Sequence, residues 1–318
     1  MDTLVSAINW LILRGADALW AVWVAVSAFF VTLWGVIDGI LNPVLSPVLA
    51  AANPVFTWIG DVVYLPLDAV PPWVGLAVLS ALCGVLMLPV FKRFSNQAAI
   101  GRAKDAIQAN LLALKLFKDD LGVIFATQAR LLWAILRLQR YVLTPVLVAI
   151  PIMLPVLAQM GTRYQWRPLR PGEEANVRVR LAADAAAGAD MELTAGEGVA
   201  VEAGPVPGGG QVVWRVRATE PGRHELQFKI DGATIPKELV VGAPGQRVSE
   251  VRPGRRWTSL LLHPVERPVP AASPITAIEI GYPDLDSWIY GSDFWIITFL
   301  VISMVVAIIF RPLFKVRF

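Results

Sequence analysis

The sequence predicts an integral membrane protein of several parts: an α-helical transmembrane bundle of three or four spans, a cytosolic helical hairpin and an extracytoplasmic β-sandwich. Three observations predict it. First, the apolar residues come in blocks, in a chain of 318 residues that is 56% hydrophobic and 17% charged with a mean hydropathy of +0.57. A soluble domain carries nearer a quarter charged residues. Second, two apolar blocks at 72–91 and 141–160 bracket a basic amphipathic stretch at 92–140. Third, from Val177 the apolar residues recur with the period of a strand rather than of a helix.

Residues 1–71 form the first unit. Asp2 stands where a cleaved signal peptide has its basic residues, and the apolar stretch from Leu19 is longer than a signal core, so residues 1–60 are expected to stay in the mature chain. Leu4, Ile8, Leu11 and Ile12 repeat at helical spacing ahead of Arg14 and Asp17, which suits a short interfacial helix. The stretch 19–37, with Trp20, Trp23, Phe29, Phe30 and Trp34, approaches the ~20 apolar residues a bilayer core requires and is expected to cross it. Asn42-Pro43, Ser46-Pro47 and Asn53-Pro54 then divide the run 40–59 into pieces too short to span. That part is expected to be re-entrant or to lie flat on the outer surface.

Residues 72–160 are expected to form span, hairpin and span. Ile100, Ala103, Ile107, Leu111, Leu114 and Phe117 make one helical stripe, with Arg102, Lys104, Asp105, Gln108 and Lys115 on the other face. Lys118-Asp119-Asp120 and Gly122 mark the turn. The returning arm is apolar at Ile124, Leu131, Leu132, Ile135, Leu136 and Leu138 and runs directly into the next span. Most charged amphipathic helices are simply solvated faces, so a two-helix coiled coil packed on itself is the plainer expectation. A second arm lying on the lipid surface, or a docking arm for a partner, are the alternatives, and Phe125 and Trp133 favour contact with something apolar. Pro145, Pro151 and Pro155 imply a bent third span packed against protein.

Charge fixes the expected orientation. The hairpin carries Lys92, Arg93, Arg102, Lys104, Lys115, Lys118, Arg130, Arg137 and Arg140 against Asp105, Asp119 and Asp120. The C-terminal tail carries Arg311, Lys315 and Arg317 and no acid. Both belong in the cytosol by the positive-inside rule, leaving 161–293 on the far side of a bacterial-type inner membrane. The last span, 294–310, is introduced by Trp288, Tyr290 and Trp295 as interface anchors and stopped by Arg311.

The stretch 161–270 reads as the β domain. Strand candidates are 177–181, 191–194, 199–202, 211–218, 224–230 and 234–242, with turns at Gly208-Gly209-Gly210, Glu220-Pro221-Gly222 and Asp231-Gly232. Six or seven such strands predict an immunoglobulin-like sandwich with Trp214 and Phe228 in its core. Residues 268–276 read as a proline-rich linker that opens the C-terminal unit, 271–318.

Chemistry has few footholds. One cysteine, Cys83, excludes an internal disulfide, and two histidines, His224 and His263, are too few for a histidine metal site. No phosphate-binding loop, zinc-protease motif or nucleophile elbow is present, and no span carries an ionisable residue at its middle, as proton relays do. The chain is therefore expected to be non-catalytic and to need no cofactor, with the bilayer and proteins on both faces as partners and no direct nucleic-acid contact. Arg93, Arg102, Lys115, Lys118, Phe125, Trp133 and Arg140 are the candidate contacts for a partner or client.

The order of span, basic hairpin, span and later span resembles the small members of the Oxa1/YidC insertase superfamily, including archaeal insertase-like proteins and relatives of the endoplasmic reticulum. The resemblance is one of topology and is carried by 72–160, with SNQAAIGRAKDAIQANLLALKLFKDD as the first arm, and by 294–310. It implies that Arg93, Arg140 and the hairpin meet a nascent chain or a ribosome. That family presents a polar groove, whereas these spans offer Ser80, Thr144, Gln159, Thr298 and Ser303. A scaffolding subunit of an envelope complex, bridging cytosolic and outer partners, is the leading expectation and a membrane-protein insertase or chaperone the alternative.

Overall fold

The computed structural model describes residues 2–116, 121–182, 191–230, 232–285, 287, 289, 291 and 294–314. Four long helices come first: α1 (Asp2–Tyr64), α2 (Pro72–Phe94), α3 (Gln97–Leu116) and α4 (Leu121–Tyr164). The β domain follows, with β1 (Glu174–Leu181), β2 (Met191–Ala195), β3 (Val199–Gly208), β4 (Gln211–Ala218), β5 (Gly222–Ile230), β6 (Ala233–Val241), β7 (Val251–Arg252), a short helix α5 (Trp257–Leu262) and β8 (Ile275–Ile280). The last helix is α6 (Phe294–Phe314). Among the described residues four segments are long and apolar enough to cross a membrane: Ser27–Tyr64, Pro72–Phe94, Ile124–Tyr164 and Phe294–Phe314.

The helical bundle is built on α2, which packs along α6 and against α4. Its closest approach is at Gly84, where a Cβ would sit 2.4 Å from the Ser303 carbonyl oxygen. A small residue there lets two backbones touch, the common device where lipid removes any hydrophobic drive between helices. The shared core of Leu76, Leu79, Cys83, Met160, Trp295 and Phe299 runs from the β-domain end of the bundle to mid-depth. Along the rest of the bundle one side of α4 and of α6 is left uncovered. Leu143, Leu147 and Ile150 on α4 and Met304, Val305 and Ile308 on α6 are all exposed.

The hairpin is a two-helix seam. Asn96 Oδ1 accepts the Ala99 N–H at 3.0 Å and so caps α3. Covered positions on α3 include 100, 103, 107, 110 and 114, and those in the first turns of α4 include 124, 127, 131, 134 and 138. This alternation of three and four is coiled-coil spacing. The predicted stripe thus holds at Ile100, Ala103, Ile107 and Leu114, but Leu111 points out at 51% exposure. Phe117 and the expected turn at Lys118, Asp119 and Asp120 lie outside the described residues.

Two antiparallel sheets make the β domain, ordered β3-β4-β1-β8-β7 and β2-β5-β6. Their inner faces share one core, in which Trp214 and Phe228 meet edge to face at 5.6 Å. The burial of β1 alternates strictly, as a strand with one wet face requires. Gly209 and Gly210 turn β3 into β4 with φ of 60° and 76°, the left-handed pair that a tight hairpin uses. β5 pairs with β6 up to Ile230 and Ala233, while Asp231 of the expected turn lies outside the described residues.

Two expectations need correction. Residues 275–280, assigned to a linker and the C-terminal unit, form β8 in the middle of the larger sheet, paired to both β1 and β7. The prolines before Ile275 end before the strand begins, and its Ile275, Ile278 and Ile280 are buried. Residues 40–59 are not broken: α1 continues through Pro43, Pro47 and Pro54 to Tyr64. At about 100° per residue these prolines fall on one side of the helix, so the lost hydrogen bonds share a side and the helix continues past them. The Asn residues before them are used as side-chain partners for α5.

Candidate functional site

The exposed face of α4 is an extended surface that the bundle leaves uncovered. Because the seam occupies 124, 127, 131, 134 and 138, the opposite side carries Phe125, Leu132 and Leu136, followed by Leu143, Leu147 and Ile150 within the candidate span. These positions follow one another at gaps of seven, four, seven, four and three residues and so stay on one side of the helix. The helix is 44 residues long, about 66 Å at 1.5 Å per residue. One apolar stripe therefore runs from the hairpin into the bundle, interrupted by Gln139 and Arg140 between Leu136 and Leu143.

Of the residues singled out from sequence, Phe125 (70% exposed) and Trp133 (57%) lie on or beside this stripe. Arg137 stacks over Trp133 with its guanidinium carbon 5.5 Å from the ring centre. Arg140 is exposed at the level where α4 enters the bundle, and its carbonyl accepts the Thr144 hydroxyl at 2.9 Å. Arg93 lies over Phe94 at 5.9 Å at the corresponding end of α2. Arg102 and Lys115 are exposed on α3, away from the stripe; Lys118 lies outside the described residues. The structure thus gathers Phe125, Trp133 and Arg140 on one helix and leaves Arg102 and Lys115 apart.

Among the expected interface anchors, Trp288 and Tyr290 lie outside the described residues and Arg311 is exposed at the far end of α6. Trp295 is corrected. It is 3% exposed and packs on Gly161 of α4, 3.4 Å from where a Cβ would stand, so it fills the bundle rather than facing outward.

At the opposite end an ionic clasp closes the bundle. Arg163 of α4, with 8% of its side chain exposed, donates to Asp68 at 2.9 Å and to Asp61 of α1 at 3.2 Å. Arg247, from the segment after β6, reaches the other Asp61 oxygen at 2.5 Å. The Arg163 guanidinium lies 4.2 Å from the Tyr64 ring centre. Three stretches that are distant in sequence, around residues 61–68, 163 and 247, meet here. The signal available in the sequence was weak: each of these charges sits just past an apolar run.

A strap from the β domain continues the closure. Its stem is fixed by Lys237 of β6, fully buried, which donates to the Ser249 carbonyl at 2.7 Å and pairs with Glu266. Burial holds the Lys237 ammonium below its usual pKa, with Glu266 opposing. Between those two anchor points the strap runs out to α1. Burial, reinforced by the Lys237 charge, pushes His263 of the strap down to about 4. Near the start of the domain, Arg167 forks onto Glu173 with both bonds at 2.8 Å and holds that carboxyl down at about 2.

Among the described residues no group of three His, Cys, Asp or Glu side chains is placed to hold a metal ion. Comparison with protein-family models, with curated proteins and with solved structures finds no match for this chain.

Proposed function

We propose that this chain is a non-catalytic membrane protein that receives apolar segments of other proteins on its hairpin and delivers them to lipid. The hairpin and the C-terminus are then cytosolic and the β domain, an immunoglobulin-like sandwich, extracytoplasmic, in an inner membrane of bacterial type. The observation that carries the reading is the exposed apolar stripe from Phe125 to Ile150, which passes Gln139 and Arg140 at the entrance to the bundle. An apolar helix leaving water would keep contact with one surface from the cytosol to the acyl chains, at about 25 cal/mol per Å2 of covered area. The exposure of Leu143, Leu147 and Ile150 on α4 supports it, because a client lying there would have sideways access to lipid. Arg140 and Arg93 at the mouth hold the charged flank of such a segment at headgroup level.

The test is insertion into proteoliposomes that contain the purified chain. Ribosomes translate a single-span protein in their presence. Leu132→Asp with Leu136→Asp is expected to cut insertion several-fold while leaving the protein folded, since both side chains are exposed. Unchanged insertion contradicts the reading. A second reading, a scaffolding subunit of an envelope complex, draws on the exposed apolar length of α6, which a permanent partner helix would cover. That reading gains if a stoichiometric partner co-purifies and no client can be crosslinked.

A further inference from the structure

We propose that α1, from Phe29 to Val62, lies along the membrane surface on the β-domain side instead of crossing the bilayer, with its apolar face in the lipid interface. The argument begins with the strap. Pro253 accepts the Val269 N–H at 2.9 Å and Gly254 is pressed against the Thr276 carbonyl, so the strap leaves the β domain at the start of β8. β8 runs from there toward the bundle, where Leu285 donates to the Gln165 carbonyl at 3.1 Å. The departure point is thus at the end of β8 remote from the bundle.

From Gly254 three peptide links reach Trp257, at most about 11 Å. The Trp257 N–H then meets Asn42 Oδ1 at 2.9 Å, and its indole N–H meets Asp38 at 2.9 Å. Arg256 pairs with the same Asp38 at 2.8 Å. Further along, Asn53 donates to the Leu260 carbonyl at 2.7 Å and Thr57 to the Pro264 carbonyl at 3.1 Å. Asp61 closes the series at Arg247. The stretch from Asn42 to Asp61 covers about 28 Å of helix, yet both ends stay within short reach of the β domain. A helix running down beside α2 and α4 would carry Asn42 nearly the full bilayer core away from it.

The faces of α1 agree. At about 100° per residue Asp38, Asn42, Asn53 and Thr57 fall on one side, against the strap. Val44, Val48, Val55, Trp58 and Val62 fall on the other side, and all are exposed. Crossing the membrane would put the Asp38–Arg256 pair and two asparagines at depth, which lipid disfavours. Lying at the interface wets one face and places the other at the boundary between headgroups and acyl chains. The occupant of that face is lipid rather than protein, because α1 crosses α4 where Thr57 meets Gln159, close to the end of α4 and hence at the level where the spans leave the bilayer.

The test uses the full chain in lipid nanodiscs, with one fluorophore at a time on Leu33→Cys, Val44→Cys, Val55→Cys and Val62→Cys in a Cys83→Ala background. Depth is read from quenching by lipids that carry nitroxides at known positions. The expected result is one shallow depth for all four, about 5–10 Å below the headgroup boundary. Depth that changes steadily by about 1.5 Å per residue through the bilayer centre would overturn the proposal, and so would an absence of lipid quenching at all four. Should Cys83→Ala fail to fold, the same labels serve in the wild-type background, where Cys83 is buried. Neither outcome depends on whether the hairpin handles clients.

Discussion

Replacing Glu266 by Gln should destabilise the β domain by about 3–5 kcal/mol, the usual consequence of leaving one partner of a buried ion pair alone. The structure sets the scale: Lys237 has no exposed surface and Glu266 retains 11% of its side chain in contact with solvent. The Ser249 carbonyl and hydroxyl, at 2.7 and 3.3 Å, still accept from the ammonium in the variant, but no anion remains. Lys237→Met alone should cost a comparable amount by stranding the Glu266 carboxylate. The double variant Lys237→Met, Glu266→Leu removes both charges and should lie between wild type and a gain of about 1–4 kcal/mol. Native-state hydrogen exchange of β6 peptides in the full chain, in detergent, reads these opening free energies. A pH sign accompanies them. With Glu266 gone, burial lowers the Lys237 pKa further in the folded state than the wild-type pair allows. The unfolded chain then holds the extra proton up to its ordinary value near 10.5. Stability of Glu266→Gln should therefore recover as pH rises toward that value. A Glu266→Gln variant within about 1 kcal/mol of wild type, or a double variant as weak as the singles, would refute the reasoning.

Other outcomes follow from the same structure. His263, held at about 4 when folded and near 6.5 when unfolded, should make the strap lose stability as pH falls from about 6.5 to about 4. The slope should vanish in His263→Gln, as measured by exchange at Leu260 to Leu262. Gly84→Ala drives a Cβ into the Ser303 carbonyl and should weaken the α2–α6 contact by about 1–3 kcal/mol, seen as a lower detergent-denaturation midpoint. An unchanged midpoint would mean that the two helices slide apart freely. A topology reporter inserted at Asp119 should be cytosolic and one at Asp231 should not; the reverse would invert the account.

Much of this architecture is legible in the residues. The long apolar blocks gave α2, the span of α4 and α6, because periodicity and length are strong signals for helices in lipid. Six strands were legible from alternation, with Trp214 and Phe228 correctly in the core. β8 was obscured by Pro268, Pro270 and Pro274, although Ile275, Ile278 and Ile280 carry the pattern of a buried strand. The Asn-Pro pairs of α1 read as breaks because local chemistry favours turns there. Only the strap, more than 200 residues later in the chain, shows that Asn42 and Asn53 are satisfied inside a continuous helix. The same holds for Arg163 with Asp61 and for Lys237 with Glu266: each partner is a distant segment, and no local pattern announces the pair. Of the candidate contacts, the aromatic ones on α4 were legible from exposed apolar character, whereas the side of α4 on which the stripe runs emerges from which face the α3 seam covers.

The most direct measurement is site-specific photocrosslinking during synthesis of a membrane protein, with the photoreactive group placed in turn at Leu132, Leu136, Leu147 and Ile150. The account predicts transient adducts to nascent apolar segments at all four, moving from Leu132 toward Ile150 as the client lengthens. Adducts to one permanent neighbour at every client length, or no client adduct at any of the four, would contradict it.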